Sequence, residues 1–260
     1  QKIDVLHVPA FTLPLIRGIA RRTVVTVHDL IGVVFPDHLS PVSRFYWSKW
    51  LPFVNRNADL IIVDSECTKG DVIRHMNFDP ERIRVIPLAV DEKFSVQKNE
   101  REIIEVCSKY LVHRPFVFFL GNVEPRKNLP RLIRAFKRLK GERKIEHQLV
   151  IGGSRSWHYP ELEELCQELG VMEYIKFINY VEGNDLVAMY QASELFIFPS
   201  LYEGFGLPIL EAMACGVPVI ASKVSSIPEV GGEAVYYINP YDEEEIAEAG
   251  TRLQTAPERR

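Results

Sequence analysis

Two glutamates eight residues apart, Glu203 and Glu211, flank the run Gly204-Phe205-Gly206-Leu207-Pro208-Ile209-Leu210. An apolar stretch ends just upstream at Phe198, and Pro208 stands where a helix would begin, a position that suits proline. Backbone N–H groups at a helix start attract anions, and glycines let a phosphate come close. The spacing can set one carboxylate at each end of an extended ligand. The same pair also reads as a solvated loop carboxylate and a carboxylate favoured by the helix dipole.

A second cluster is Gly121-Asn122-Val123-Glu124-Pro125-Arg126-Lys127-Asn128. It follows the strand-like Phe116–Leu120 and precedes a helical pattern, with Asn128 placed as an N-cap. Two adjacent cations at the mouth of a helix suit a diphosphate, and Glu124 is expected to pair with one of them. A capped turn with surface charges is the competing reading. The third group is Thr26-Val27-His28-Asp29. A lone histidine at a strand end is more often a hydrogen-bonded structural residue than a catalyst, and His7 has the same ambiguity. The sequence holds no P-loop, GxGxxG, HExxH or GxSxG, and no Asp-x-Asp pair for a metal-bound diphosphate. Phosphate charge then falls to Arg126, Lys127 and helix termini.

Such groups need strands that end beside one another. Short apolar runs recur at Asp4–Val8, Val24–Val27, Leu60–Val63 and Arg84–Ile86, then at Phe116–Leu120, Gln148–Ile151, Ile175–Phe177, Leu195–Phe198, Val217–Ile220 and Ala234–Tyr237. Being apolar on both faces, they suit a parallel sheet covered on both sides. Helical patterns alternate with them: Val42–Asn57, Thr68–His75, Leu129–Lys140, Pro160–Leu169, Asn184–Ala192, Pro208–Ala214 and Glu243–Thr255. The class is α/β, doubly wound. The alternation pauses between Pro87 and Arg114, around a polar helical stretch Lys98–Lys109. A domain boundary is expected near Ser95, giving domains 1–95 and 96–260. The first half reads as incomplete, with Pro9–Arg22 in place of a crossover helix. With the start at Gln1, this leads us to expect a fragment.

Composition narrows the function. Hydrophobic residues are 47% and charged residues 25%, which excludes a disordered chain. A formal net charge of −4 argues against general nucleic-acid binding. Cys67, Cys107, Cys166 and Cys215 form no CxxC pair, so no zinc framework is read, and scattered thiols fit a reducing, cytoplasmic compartment. No apolar run approaches the roughly 18 residues of a membrane span.

Taken together the motifs resemble the retaining glycosyltransferases of the GT-B fold, family four, over nearly the whole chain. The Glu-x7-Glu motif within PSLYEGFGLPILEAMACGVPVIAS carries most of the resemblance, and GNVEPRKNLPRLIRAF and VVTVHDL match in order. EPRKN with HDL is similar to the bacterial branch that builds surface polysaccharide and lipopolysaccharide, where mannosyltransferases are frequent. The resemblance implies two Rossmann-like domains facing a cleft, the first incomplete here. It implies transfer of a sugar with retention from a GDP- or UDP-linked donor to a glycan or lipid-linked acceptor, with GDP-mannose the favoured donor, and with no cofactor or metal.

Residue by residue, the resemblance puts Lys127 on the donor diphosphate, with Arg126 nearby. Backbone around Phe205, Gly206 and Leu207 meets the diphosphate and sugar. Glu203 touches sugar hydroxyls near the reacting face, Glu211 the ribose, Val181 the base through its backbone, and His28 lies near the reaction centre. Asn122 stands where many relatives carry arginine, and Asn179 where glycine is common. The family begins with a strand and glycine-rich loop and ends with helices that are not in this chain, so it is expected to bind nucleotide yet turn over poorly. The resemblance further implies a peripheral contact with the cytoplasmic membrane face, which Arg17, Arg21 and Arg22 beside Leu13, Leu15, Ile16 and Ile19 would supply; an ordinary solvated charge cluster is the equal alternative. A noncatalytic nucleotide-sugar-binding protein with a decayed acceptor half is the competing function. A phosphorylase or epimerase on the same fold is a third, and no pyridoxal-phosphate lysine is identifiable.

Overall fold

The computed structural model describes residues 3–13, 18, 20–36, 39–142, 145–154 and 159–255. The chain divides into two compact units, Gln1–Leu88 with Tyr202–Gly206, and Ala89–Leu201 with Leu207–Arg260. Among the described residues, ten strands form two sheets, and every strand pair is parallel.

The first unit carries β1 (Ile3–Val8), β2 (Ala20–Val27), β3 (Leu60–Val63) and β4 (Ile83–Val85), paired in that order. Its helices are α1 (Ile31–Val34), α2 (Pro41–Phe45), α3 (Leu51–Asn55) and α4 (Glu66–Met76). The core sits around the two middle strands, where Val25, Val27, Ile61 and Val63 are fully buried against Leu30, Leu51 and Val72. β1 lies at the edge, and Ile3 and Val5 are about half exposed. β2 begins four residues earlier than its apolar run, because Arg21 and Arg22 mask a strand that the ladder to β1 extends. The single helical stretch read from Val42 is α2 and α3 joined by a π-helical turn, Tyr46–Trp50. Ser40 caps it by accepting from the Ser43 N–H, and Pro41 opens it. α1, at four residues, is too short to leave a periodic signal.

The second unit holds β5 (Phe116–Leu120), β6 (Gln148–Gly152), β7 (Ile175–Asn179), β8 (Leu195–Phe198), β9 (Val219–Ser222) and β10 (Tyr236–Ile238) in the order β10-β9-β8-β5-β6-β7. Its helices are α5 (Glu100–Tyr110), α6 (Leu129–Glu142), α7 (Tyr159–Glu168), α8 (Gly183–Ala192), α9 (Leu207–Ala214), α10 (Ile227–Gly231) and α11 (Glu243–Thr255). β5 and β8 are buried on both faces, as a doubly wound sheet requires. Tyr190 of α8 sits edge-on to Phe118 and Phe196, with ring centroids 5.4 and 5.3 Å away. Fully burying each such ring contributes about 1.5–3 kcal/mol.

The strand order fixes where a ligand can sit. From β5 the chain winds outward through β6 and β7, then returns to the other side of β5 with β8 and winds out again. In such sheets the crevice opens at the carboxyl ends of the two strands where the direction reverses. Here those strands are β5 and β8, which are followed by the two clusters singled out from the sequence.

Candidate functional site

In the second unit the loops after β5 and β8 are tied together: the Leu201 N–H donates to the Arg126 carbonyl at 2.7 Å. Beneath them, backbones pack without side chains. A Cβ on Gly153 would fall 2.1 Å from the Gly121 carbonyl oxygen, and Gly153 has φ +139°, so only glycine fits. Asn122 is exposed beside this floor, and its Oδ1 accepts from the Ser154 N–H at 3.3 Å.

Lys127 lies on a 3₁₀ turn, Pro125–Lys127, and is only 6% exposed. Its stem passes Gly121, and its Nζ stands 4.6 Å from the centroid of the Phe198 ring at the end of β8. A cation against an aromatic face at the switch point is held and partly desolvated, which strengthens its pull on an anion. Arg126 is the cation that Glu124 takes, at 2.9 Å between Nε and Oε2. Asn128 does not have the extended conformation of an N-cap. It is left-handed, with φ +60°, and its amide donates to the carbonyls of Pro199 and Pro240 while its Oδ1 accepts from Arg131. It therefore pins the β5 loop to the segment after β8.

Glu211 stands one turn inside α9, which starts at Leu207. The Tyr190 hydroxyl donates to its Oε2 at 2.9 Å. Burial raises the Glu211 pKa above the ordinary carboxylate range, with Asp91 adding to it, while the Tyr190 bond and the Lys93 charge work the other way. Tyr190 was not foreseen, because an inward tyrosine on an apolar helix reads as core. Val181 is buried after β7, and its side chain reaches the space over Gly152. Asn179 has φ +57°, which explains a glycine preference there; asparagine tolerates that conformation better than most other residues.

In the first unit His28 follows β2. Its Nδ1 lies 2.8 Å from Asp64 Oδ2 and its Nε2 3.0 Å from the Pro9 carbonyl oxygen. Burial would lower its pKa, but the Asp64 hydrogen bond and charge, the Pro9 carbonyl and Asp29 outweigh it, and the net direction is up. A carbonyl only accepts, so Nε2 carries a proton. Acceptors beside both ring nitrogens favour the protonated form of His28. His7 Nε2 lies 2.9 Å from Thr26 Oγ1.

The Tyr202–Gly206 loop belongs to this unit. The Gly204 carbonyl accepts from Ser65 Oγ at 2.7 Å and Thr68 Oγ1 at 3.1 Å, and a Cβ on Gly204 would fall 2.1 Å from the His28 carbonyl oxygen. Tyr202 donates to Asp71 Oδ2 at 2.7 Å, and burial drives its pKa well up. Glu203, between these anchors, is 8% exposed, and Gly206 takes φ +114°.

Of the basic and apolar cluster near the N-terminus, only Leu13, Arg21 and Arg22 are among the described residues. Leu13 is buried, Arg21 pairs with Asp4 and Arg22 with Asp59; Leu15, Ile16, Arg17 and Ile19 lie outside the described residues. Among the described residues, no group of three or more His, Cys, Asp or Glu side chains could hold a metal ion, and no helix is long and apolar enough to cross a membrane.

Chemically, the second unit offers a cation and a glycine floor at one switch point, with a buried carboxylate on α9. The first unit offers a histidine set between a carboxylate and a carbonyl, and a glycine loop that carries a second buried carboxylate. The chain as a whole is similar to known proteins. Residues 1–94 match Glycosyltransferase Family 4, and residues 107–260 match Glycosyl transferases group 1. O-antigen chain mannosyltransferase B of Escherichia coli is 36% identical over 245 residues, 94% of this chain and 63% of that protein. O-antigen chain mannosyltransferase RfbU of Salmonella typhimurium is 27% identical over 95% of this chain and 64% of its own length. The chain thus spans less than two thirds of both. Anabaena Alr3699/HepE, solved with UDP and glucose, superposes with a TM-score of 0.78 at 21% identity, covering 92% of this chain and 64% of that one, a likeness of fold. The chain belongs to the group 1 glycosyltransferases, with parallel-sheet units of the GT-B kind.

Proposed function

We propose that the protein is a retaining, metal-independent glycosyltransferase. It moves mannose from a GDP- or UDP-linked donor to a glycan or lipid-linked acceptor of surface polysaccharide. The observation that carries this reading is Lys127, a nearly buried lysine set against Phe198 where the β5 and β8 loops meet. Lys127, with Arg126 beside it, takes the diphosphate, and Asn122 borders that place. The backbone of Phe205, Gly206 and Leu207 follows the diphosphate toward the sugar. Glu211 takes the ribose hydroxyls and Val181 the base, while Glu203 takes sugar hydroxyls.

His28, with its ring nitrogens taken up by Asp64 and the Pro9 carbonyl and its pKa raised, acts near the reaction centre by the positive charge it can carry rather than by removing a proton. The leaving diphosphate accepts the acceptor's proton as the new bond forms on the face it departs from. Stabilising that leaving group is the protein's main contribution. The similarity to two O-antigen mannosyltransferases supports mannose and a polysaccharide acceptor.

The test is a thermal-shift screen of the chain against UDP, GDP, ADP and their sugar conjugates, with chelator present. A ligand at one hundred times its Kd stabilises by about 2.7 kcal/mol. GDP and GDP-mannose are expected to raise the midpoint. Product anomer is then read by NMR in a transfer assay with a mannan oligosaccharide. No shift with any nucleotide, or an inverted product, overturns the reading.

A further inference from the structure

We propose that Tyr190 is a positioning residue, whose hydroxyl fixes the Glu211 carboxylate for the vicinal hydroxyls of a nucleotide ribose. The inference rests on the reading of Glu211 as the group that takes the ribose. Tyr190, on α8, is fully buried. Its ring lies edge-on to Phe94 at 6.0 Å, as it does to Phe118 and Phe196. These neighbours are phenylalanines, so packing alone calls for no hydroxyl. A buried phenol O–H costs free energy unless it is bonded. This one donates to Glu211 Oε2 at 2.9 Å, with the Pro208 carbonyl oxygen 3.3 Å away. A hydroxyl has one proton, and the shorter bond to a charged acceptor takes it. Burial also drives the phenol pKa well up, with Glu211 adding to it, so that proton is retained.

Glu211 is half-buried, one turn inside α9. A glutamate side chain turns about three bonds, so an untethered one presents its oxygens in many directions. Tying Oε2 to a ring clasped by three others removes that freedom before a ligand arrives. Oε1 and a second lone pair on Oε2 are left for two hydroxyls that donate. Other groups act on Glu211 by charge: Lys93 attracts it and Asp91 repels it. Cys215, one helical turn on, stays a neutral thiol, its pKa pushed by burial to about 11. Among the described residues, Tyr190 is the one whose hydrogen bond fixes where the carboxylate lies.

The experiment measures GDP and 2′-deoxy-GDP binding by calorimetry at about pH 8, where carboxyls are ionised, and titrates the Glu211 carboxyl carbon by NMR. The parent should prefer GDP about tenfold or more, the share of one hydrogen bond to a charged group, and Glu211→Gln should remove most of that preference. Tyr190→Phe keeps the ring and should cut the preference to about threefold or less, with the Glu211 pKa moved further up. Lys93→Met removes a charge and no hydrogen bond to Glu211; it too should raise that pKa, yet keep the preference. A full preference in Tyr190→Phe, an unmoved Glu211 pKa there, or an equal loss in Lys93→Met overturns the proposal. Glu211→Asp covers a Tyr190→Phe chain that does not fold. One methylene shorter, its carboxylate keeps the charge and leaves the hydroxyl, so the preference should fall as in Glu211→Gln; its retention overturns the proposal as well. No preference in the parent, or one that Glu211→Gln keeps, overturns the ribose reading and the proposal with it, so the two failures are told apart by which variant is silent.

Discussion

His28 and Asp64 stand side by side because β2 and β3 run in parallel register. Val27 pairs with Val63, the next residue on each strand is the histidine and the aspartate, and their side chains meet at 2.8 Å. Asp64 is almost completely buried and His28 about two fifths exposed, so the ion pair opens to solvent on the histidine side. The folded pKa of His28 lies above its ordinary 6.5. Such a group contributes stability that is fully present below the unfolded pKa and fades as pH rises through the folded one. Asp64→Asn should therefore lower the His28 pKa in an NMR titration of its ring protons. The loss of thermal midpoint in Asp64→Asn should be largest below pH 6.5 and shrink above the folded pKa. A His28 that titrates below 6.5 in the parent chain would contradict the raised pKa.

Gly204 is the residue in its loop that tolerates no side chain. Its carbonyl is held by Ser65 and Thr68, and a Cβ would collide with the His28 carbonyl. Neither partner is a flexible side chain end, so the backbone itself must move. Gly204→Ala should cost about 1–3 kcal/mol, the usual range for forced overpacking. Urea unfolding reads this directly. A midpoint equal to the parent's would mean that the loop relaxes freely.

The sheet was legible because strands buried on both faces leave unbroken apolar runs, as Phe116–Leu120 and Leu195–Phe198 do. The sites at their ends were legible because glycines and paired charges interrupt those runs. What escaped were partners that lie far away in sequence. Asp64 ends a strand whose register with β2 no local pattern states, yet the matching ends VTVHD and IIVDS were a usable signal. Tyr190 and Asp71 gave none, since each lies on a helix whose periodicity describes burial rather than hydrogen bonding. Asn128 misled because asparagine serves an N-cap and a left-handed bend equally well.

Glu211 sets stability against binding. Its folded pKa is raised, chiefly by burial, so the folded chain disfavours the charged form. A raised carboxyl pKa contributes stability below the unfolded value near 4.5 that is lost as pH climbs through the folded value. Glu211→Gln keeps an acceptor for Tyr190 and removes the charge. Without nucleotide its thermal midpoint at pH 7 should equal or exceed the parent's, with the gain vanishing below about pH 4.5. Its affinity for GDP should fall, and so should its preference for GDP over 2′-deoxy-GDP, measured by calorimetry. An unchanged preference would take the ribose away from Glu211.

Lys127→Met isolates the charge of the lysine from its packing. Methionine keeps an unbranched apolar stem beside Gly121 and Phe198, where the lysine stem and ammonium now lie. What disappears is the cation that the diphosphate is proposed to meet. A hydrogen bond to a charged group contributes about 1.5–3 kcal/mol, so Kd for a nucleoside diphosphate should rise about tenfold to a hundredfold or more. Nucleoside binding, which lacks the phosphates, should change much less. Calorimetry with GDP, UDP and the matching nucleosides separates the two effects. Arg126, already engaged by Glu124, should give a smaller loss when replaced by methionine. Equal losses at both positions, or an undiminished nucleoside diphosphate affinity in Lys127→Met, would move the phosphate site away from the junction of the β5 and β8 loops.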